Sequence, residues 1–276
     1  MRNNEGHKAM TNNQAIKTVG IAGTGAIGTA VAKAIIKGIN GLKLTHVSDL
    51  NGGLDGIPNV SFDELAENCD IIIECLPPKA VPPLAERVIK AQKEFIMISG
   101  CALLMFPEIL ELQHSMPENT RKPIIVPSGA LAGIDGIKAL KELGIISSKI
   151  ASTKPPVGFK GAPHIVKNNI DLTKINQKTK LFSGNAIEAA QGFPANVNVA
   201  ATLSLAGIGA EKTQVEIWAD PEAKGNAHEI TVEGQYSKLT SKIENMPDPA
   251  NPKSSMLAAQ SIVSVLKDIN NSVIVL

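Results

Sequence analysis

Arginine is nearly missing from this chain: Arg2, Arg87 and Arg121 are the only three in 276 residues. The planar guanidinium is the usual bidentate grip for carboxylates and phosphates, so the C-terminal half must hold any acidic ligand by other means. Positive and negative side chains nearly cancel at a net charge of +1, and no basic stripe marks a nucleic-acid partner. No apolar run approaches the roughly 18 residues that a membrane span needs. The polar start, Met1 to Gln14, lacks an apolar signal core. The expectation is a cytoplasmic protein that engages neither nucleic acid nor membrane, with residues 1–16 as a disordered tail. Cysteine is limited to Cys69, Cys75 and Cys101, an odd number without metal-ligand spacing, and the five histidines form no HxxH or HExxH pattern. Reduced, buried thiols and no metal are predicted.

What the chain does have is residues 18–28, an apolar stretch running into Gly23-x-Gly25-x-x-Gly28. In a dinucleotide site the first glycine makes the tight turn, the second lets backbone approach a pyrophosphate, and the third lets helix and strand pack closely. The helix that follows, opening at Ala26 and Ile27, offers unpaired N–H groups and the positive end of its dipole to the phosphates. Ile27, Ala30, Val31, Ala34 and Ile35 keep the helical period. Asp49, 21 positions beyond Gly28 at the end of the apolar segment Leu42 to Val47, stands where a carboxylate binds the ribose hydroxyls. A glycine-rich turn of some other α/β protein is the competing reading. Leu50, Asn51 and Gly52 follow with no cation among them, so NAD is expected as the cofactor, with NADP the second choice.

Strand and helix signals alternate through the first half, which predicts a doubly wound parallel sheet of Rossmann type. Strand signals lie at Ile71 to Ile73, Phe95 to Ile98 and Ile124 to Val126. Helical signals lie near Asp63 to Leu65, from Pro82 to Lys93 and around Phe106 to His114. After Pro127 the character changes. Ile145 to Thr153 and Thr213 to Trp218 alternate with period two, as in a mixed sheet with one covered face. Two helices are expected between them, one opened by the capping box Asn185-x-x-Glu188 and one over Val199 to Ala206. A last helix from Ser254 carries Ile262, Val265, Leu266 and Ile269 on one face, directed back at the first domain. The predicted division is a dinucleotide-binding domain over 17–127 plus 251–276, and a second α/β domain over 128–250 for substrate and dimerisation.

Three places in the second half carry candidate chemistry. In Asn226-Ala227-His228-Glu229-Ile230-Thr231-Val232, His228 shares a strand face with Ile230 and Val232, so it points inward. A partly buried imidazole can accept a proton near neutral pH; a core histidine satisfied by a backbone carbonyl is the plainer alternative. Ser128 to Gly133 offers small residues at a domain junction, where a flat ring could approach backbone. Phe193 to Asn198 offers amides, although Asn198 also suits the N-cap of the following helix. For an acidic substrate, the start of the last helix supplies Lys253 and Ser254, beside Ser255 and free N–H groups, and Lys154 is a second candidate. Ser254 as a simple helix cap is the competing reading.

These segments resemble, in order, the L-aspartate dehydrogenase family. The matching stretches are Gly23 to Gly28, Glu74-Cys75-Leu76-Pro77-Pro78-Lys79-Ala80-Val81, Pro127 to Ala130, Phe193 to Ala201, Asn226-Ala227-His228 and Asn251 to Leu257. The resemblance implies a Rossmann domain joined to an α/β substrate domain in a homodimer. It implies NAD(P)-dependent oxidative deamination of L-aspartate to iminoaspartate, then oxaloacetate and ammonia, feeding NAD biosynthesis. It gives His228 the catalytic position, sets Ala130 and Asn198 beside the nicotinamide, and adds Leu76 and Pro77 to the cofactor contacts. Ser99-Gly100-Cys101-Ala102 departs from the family's usual pattern, and Pro252-Lys253-Ser254-Ser255 replaces its usual Pro-Lys-Thr-Ser. A related amino-acid or imine dehydrogenase, or a non-catalytic NAD-binding regulator, are the alternatives.

Overall fold

The computed structural model describes residues 15–246 and 256–275. Among them ten strands form two five-stranded sheets. The first opens with β1 (Lys17–Ala22), α1 (Ala26–Gly38) and β2 (Leu42–Ser48). Then comes α2 (Phe62–Asn68), started by a reciprocal cap in which Ser61 Oγ accepts the Glu64 N–H and the Glu64 carboxylate accepts the Ser61 N–H. β3 (Ile71–Glu74), α3 (Val81–Lys90), β4 (Glu94–Met97), α4 (Cys101–Met105), α5 (Glu108–Ser115) and the short β5 (Ile124–Ile125) complete this half. Every pairing is parallel, in the order β2-β1-β3-β4-β5. Ile71, Ile72 and Ile73 are all fully buried, as a strand covered on both faces requires. The chain leaves β1 toward β2 and returns to β3 on β1's other side. The order therefore reverses between β1 and β3, and a crevice opens there at the carboxyl ends of the strands. This is the Rossmann arrangement that the sequence predicts.

The second half runs α6 (Ile134–Leu143), β6 (Ile145–Lys154), α7 (Pro163–Lys167), β7 (Thr179–Asn185), α8 (Ala186–Gly192), α9 (Asn198–Ala206), β8 (Thr213–Ala219), β9 (Asn226–Gly234) and β10 (Lys238–Asn245). Its sheet order is β10-β9-β6-β8-β7, with β6 and β8 parallel and the other pairs antiparallel. The sheet is mixed and covered on one face, as its alternation predicts. Ile150, Val215, Ile217, Ile230 and Val232 are buried there in one core with residues of α6, α8 and α9. A final helix, α10 (Met256–Asp268), packs Ala259, Ile262, Val263 and Leu266 in the same core as Val31, Ala32 and Ile35 of α1.

The structure departs from the sequence reading in places. The helix expected from Phe106 begins at Glu108, and a separate short helix, α4, precedes it; Pro107, which cannot donate to a continuing helix, divides the two. α6 has no counterpart in the sequence reading. Between β6 and β8 the two expected helices, α8 and α9, are joined by α7 and by the strand β7.

The glycine turn after β1 follows from steric limits alone. Gly23 adopts φ +91°, and a Cβ there would lie 2.4 Å from the Cys75 carbonyl oxygen. A Cβ on Gly28 would lie 1.9 Å from the Gly23 carbonyl oxygen, so strand and helix meet backbone to backbone. At Gly25 a Cβ would meet nothing within 4 Å: the turn is closed behind and open in front. Gly28→Ala should therefore lose about 2 kcal/mol or more of stability by overpacking, while Gly25→Ala stays within about 1 kcal/mol of wild type. Urea denaturation of both variants checks this; equal losses would contradict the packing described.

Candidate active site

Two groups of residues carry the candidate chemistry, one in each half. The first lies at the carboxyl edge of the parallel sheet. α1 begins at Gly25 without a side-chain cap, which leaves the first N–H groups of the helix free to point at an anion. Asp49 follows directly on β2. Its carboxylate accepts the Thr24 N–H at 2.6 Å and the Asn51 N–H at 2.8 Å. Partial burial works to raise this carboxyl, but hydrogen bonds from Thr24 and Asn51 outweigh it and hold it below its ordinary value. A turn closed behind Gly23 and Gly28, open at Gly25 and flanked by an ionised carboxylate fits a dinucleotide: pyrophosphate at the helix start, ribose at Asp49. Ala26 and Ile27 lie in the first turn of α1, Leu76 is half-buried beside the turn and Pro77 is exposed at its rim.

The second group lies on the covered face of the mixed sheet. His228 is 4% exposed, paired in register with Ser152 on one side and Ile243 on the other. Its Nδ1 is 2.9 Å from Ser152 Oγ. Burial first, and the nearby Lys154 charge second, press His228 down to about 4, so the imidazole is neutral at pH 7. The partner is a side-chain hydroxyl on the neighbouring strand β6. Two residues along the same strand faces stand Lys154 and Asn226. Lys154 Nζ donates to Asn196 Oδ1 at 2.9 Å, and burial lowers its pKa to about 8.

Lys154 and Asn226 open into a cavity of about 810 Å3. Its described walls carry the ammonium groups of Lys154, Lys160 and Lys224 and the carboxamides of Asn196, Asn226 and Asn245, with no Asp or Glu among them. By contrast, a cavity of about 510 Å3 beside it is lined by Asp220, Glu222, Glu229 and Glu244 as well as lysines. Among the described residues the first carries charge of one sign only, positive.

Asn198 joins the two halves. It is the first residue of α9, and its side chain makes no cap. Instead Asn198 Oδ1 accepts the Cys101 N–H at 3.2 Å, from the start of α4. The unusual Ser99-Gly100-Cys101-Ala102 segment is thus where one half meets the other. Ala130 is buried at the same junction, and the N–H of Gly129 donates to Ser261 Oγ of α10 at 3.1 Å. Lys253 and Ser254 lie outside the described residues. The cysteines are free thiols, and burial pushes Cys101 up to about 12 and the other two above their ordinary value. Sequence reasoning gave no role to Ser152, which the alternation of β6 places on the His228 face, or to Glu74, the polar end of an otherwise apolar strand.

The chain is similar to known proteins over both halves. A family model described as aspartate dehydrogenase, C-terminal, matches residues 135–269, and one described as the NAD binding domain of D-isomer specific 2-hydroxyacid dehydrogenase matches residues 1–93. The chain is 40% identical to L-aspartate dehydrogenase of Methanosarcina barkeri, over 91% of its own length and 96% of the relative's. The chain belongs to the L-aspartate dehydrogenase family. It is also 41% identical to L-aspartate dehydrogenase 3 of Bordetella bronchiseptica, over 90% of this chain and 93% of that one. The crystal structure of aspartate dehydrogenase from Thermotoga maritima superposes with a TM-score of 0.71 at 26% identity, covering 94% of this chain and 99% of that one. Scyllo-inositol dehydrogenase of Lactobacillus casei, at 16% identity and a TM-score of 0.54, shares the fold. Like its family, the chain uses NAD(P).

The state of Lys154 gives a pH test. Its ammonium is present below about pH 8 and lost as pH rises through that value. Binding of a non-titrating dicarboxylate such as succinate should be constant from pH 6.5 to 7.5, then weaken toward tenfold per unit above about 8. Lys154→Ala should bind weakly at every pH. An inhibition constant that is flat to pH 9.5 in the wild type would contradict the assignment.

Proposed function

We propose that this protein oxidises L-aspartate to iminoaspartate with NAD, which water then hydrolyses to oxaloacetate and ammonia, and that this supplies NAD biosynthesis in the cytoplasm. The observation that carries the reading is a cationic cavity with no carboxylate among its described walls, two residues along β9 from a neutral buried histidine. When bound, the nicotinamide supplies the acceptor for the hydride lost from the substrate α-carbon. Gly23, Gly25, Gly28, Ala26 and Ile27 receive the pyrophosphate, and Asp49 takes the adenosine ribose. The Asp49 charge would repel a ribose phosphate, which favours NAD over NADP. Leu76, Pro77, Ala130 and Asn198 border the nicotinamide.

Lys154 pairs with a substrate carboxylate; Lys253 and Ser254 are proposed for the other. The pairing has a second effect. Lys154's charge is one reason why His228 is a weak base, and a bound carboxylate neutralises that field. The imidazole becomes more basic when substrate arrives, able to take the proton that the α-ammonium must lose and later to activate water. Ser152 fixes its ring. We assign residues 17–127 with 251–276 to nucleotide binding and 128–250 to substrate. A homodimer that covers the open face of the mixed sheet completes the reading.

The test is the rate of NAD reduction with L-aspartate against a panel of other amino acids and hydroxy acids. L-Aspartate should give the highest kcat/KM. His228→Ala should lower kcat about a hundredfold with the KM for NAD unchanged. Turnover of another amino acid in preference, or of none, would overturn the assignment, and undiminished turnover in the variant would remove His228 from the chemistry.

A further inference from the structure

Among the described residues Glu74 is the one acidic side chain buried in the core, at 0% exposure. A buried carboxylate is costly unless its oxygens are hydrogen-bonded, so its partners show its purpose. The Leu76 N–H donates to Oε1 at 2.5 Å and the Ser99 N–H donates to Oε2 at 3.0 Å. The Ser99 hydroxyl in turn donates to the Leu76 carbonyl at 2.7 Å. Leu76 follows β3 and Ser99 follows β4, so the carboxylate is a strut between two consecutive loops at the carboxyl edge of the sheet.

Both ends of that strut reach functional backbone. On one side the Cys75 N–H donates to the Ala22 carbonyl, and the Cys75 carbonyl fills the space behind Gly23. On the other side, two residues past Ser99, the Cys101 N–H holds Asn198 of the second half. Glu74 itself pairs with Ala22 and Met97 at the strand ends, beside the crevice where the strand order reverses. A dinucleotide anchored by its adenosine at Asp49, beyond β1 on the β2 side, must carry its other half over the ends of β3 and β4.

We propose that Glu74 is a positioning residue for the nicotinamide half of the cofactor, its carboxylate fixing the Leu76 and Ser99 backbones at the spacing that this half requires. The inference rests on reading the crevice as a dinucleotide site. Burial pushes the carboxyl up and the N–H groups of Ser99 and Leu76 pull it part of the way back, leaving it at about 7. A glutamine offers one acceptor oxygen, and its NH2 faces the second N–H, so Glu74→Gln breaks one arm of the strut.

The experiment is titration of E74Q and wild type with NADH, followed by nicotinamide fluorescence, and with AMP, which carries only the adenosine half. NADH should bind about tenfold more weakly to E74Q while AMP binds within twofold of wild type. Unchanged NADH binding, or equal weakening of NADH and AMP, would overturn the proposal. If E74Q does not fold, Glu74→Asp decides. It keeps the charge but draws the carboxylate back by one methylene from the Leu76 and Ser99 N–H groups, so it should weaken NADH about tenfold with AMP unchanged, and no difference refutes the strut. Because neither titration involves an amino acid, failure here is separate from failure of the aspartate assignment, which substrate turnover alone reports.

Discussion

Lys154 carries its ammonium into a half-buried wall where its hydrogen-bond partner is the amide oxygen of Asn196 and not a carboxylate. A cation taken out of water without a counter-ion is an unfavourable arrangement, and much of the second half is arranged to hold it. Asn196 sits in a tight turn whose N–H donates to the Phe193 carbonyl. Phe193 is fully buried and packs edge-on against Phe159 and Phe182 and stacks with His164. The helix before it, α8, is started by the reciprocal cap of Asn185 and Glu188. Burial first, and the lysine's field second, keep His228 neutral. In the proposed reading this makes the site an anion trap, and a bound anion removes one cause of the histidine's weakness as a base.

The parallel sheet contributes a cradle defined almost wholly by backbone. Gly23 and Gly28 are closed by carbonyl oxygens, and the loops after β3 and β4 are tied by Glu74. Two contacts then set the halves in register: the Cys101 N–H to Asn198, and the Gly129 N–H to Ser261. The second involves α10, whose apolar face packs with α1. The residues proposed to flank the cofactor and those proposed to flank the substrate therefore share supports.

How much of this the sequence disclosed depended on whether the cause was local. Gly23, Gly25 and Gly28 were legible because a turn without room for Cβ admits no other residue. The strands with three successive isoleucines or strict alternation were legible from burial alone, and so was the inward direction of His228. The cap at Asn185 was legible because both partners lie within one turn. By contrast, the destination of Asn198 was not, since its side chain ignores the helix it opens and crosses to a residue 97 positions away. α4 and α6 escaped notice because Pro107 and the surrounding glycines interrupt the periodic pattern. The role of Glu74 depends on Ser99, which only the parallel register brings alongside. The three sparse arginines excluded the commonest carboxylate grip, and that absence led to lysine.

The central claim is that hydride leaves the α-carbon of an amino acid held against these lysines. It is tested most directly by incubating the protein with NAD and L-aspartate deuterated at the α-carbon, then weighing the reduced cofactor by mass spectrometry. One deuterium per NADH is the predicted result; NADH that forms without the label, or no NADH at all, would contradict it.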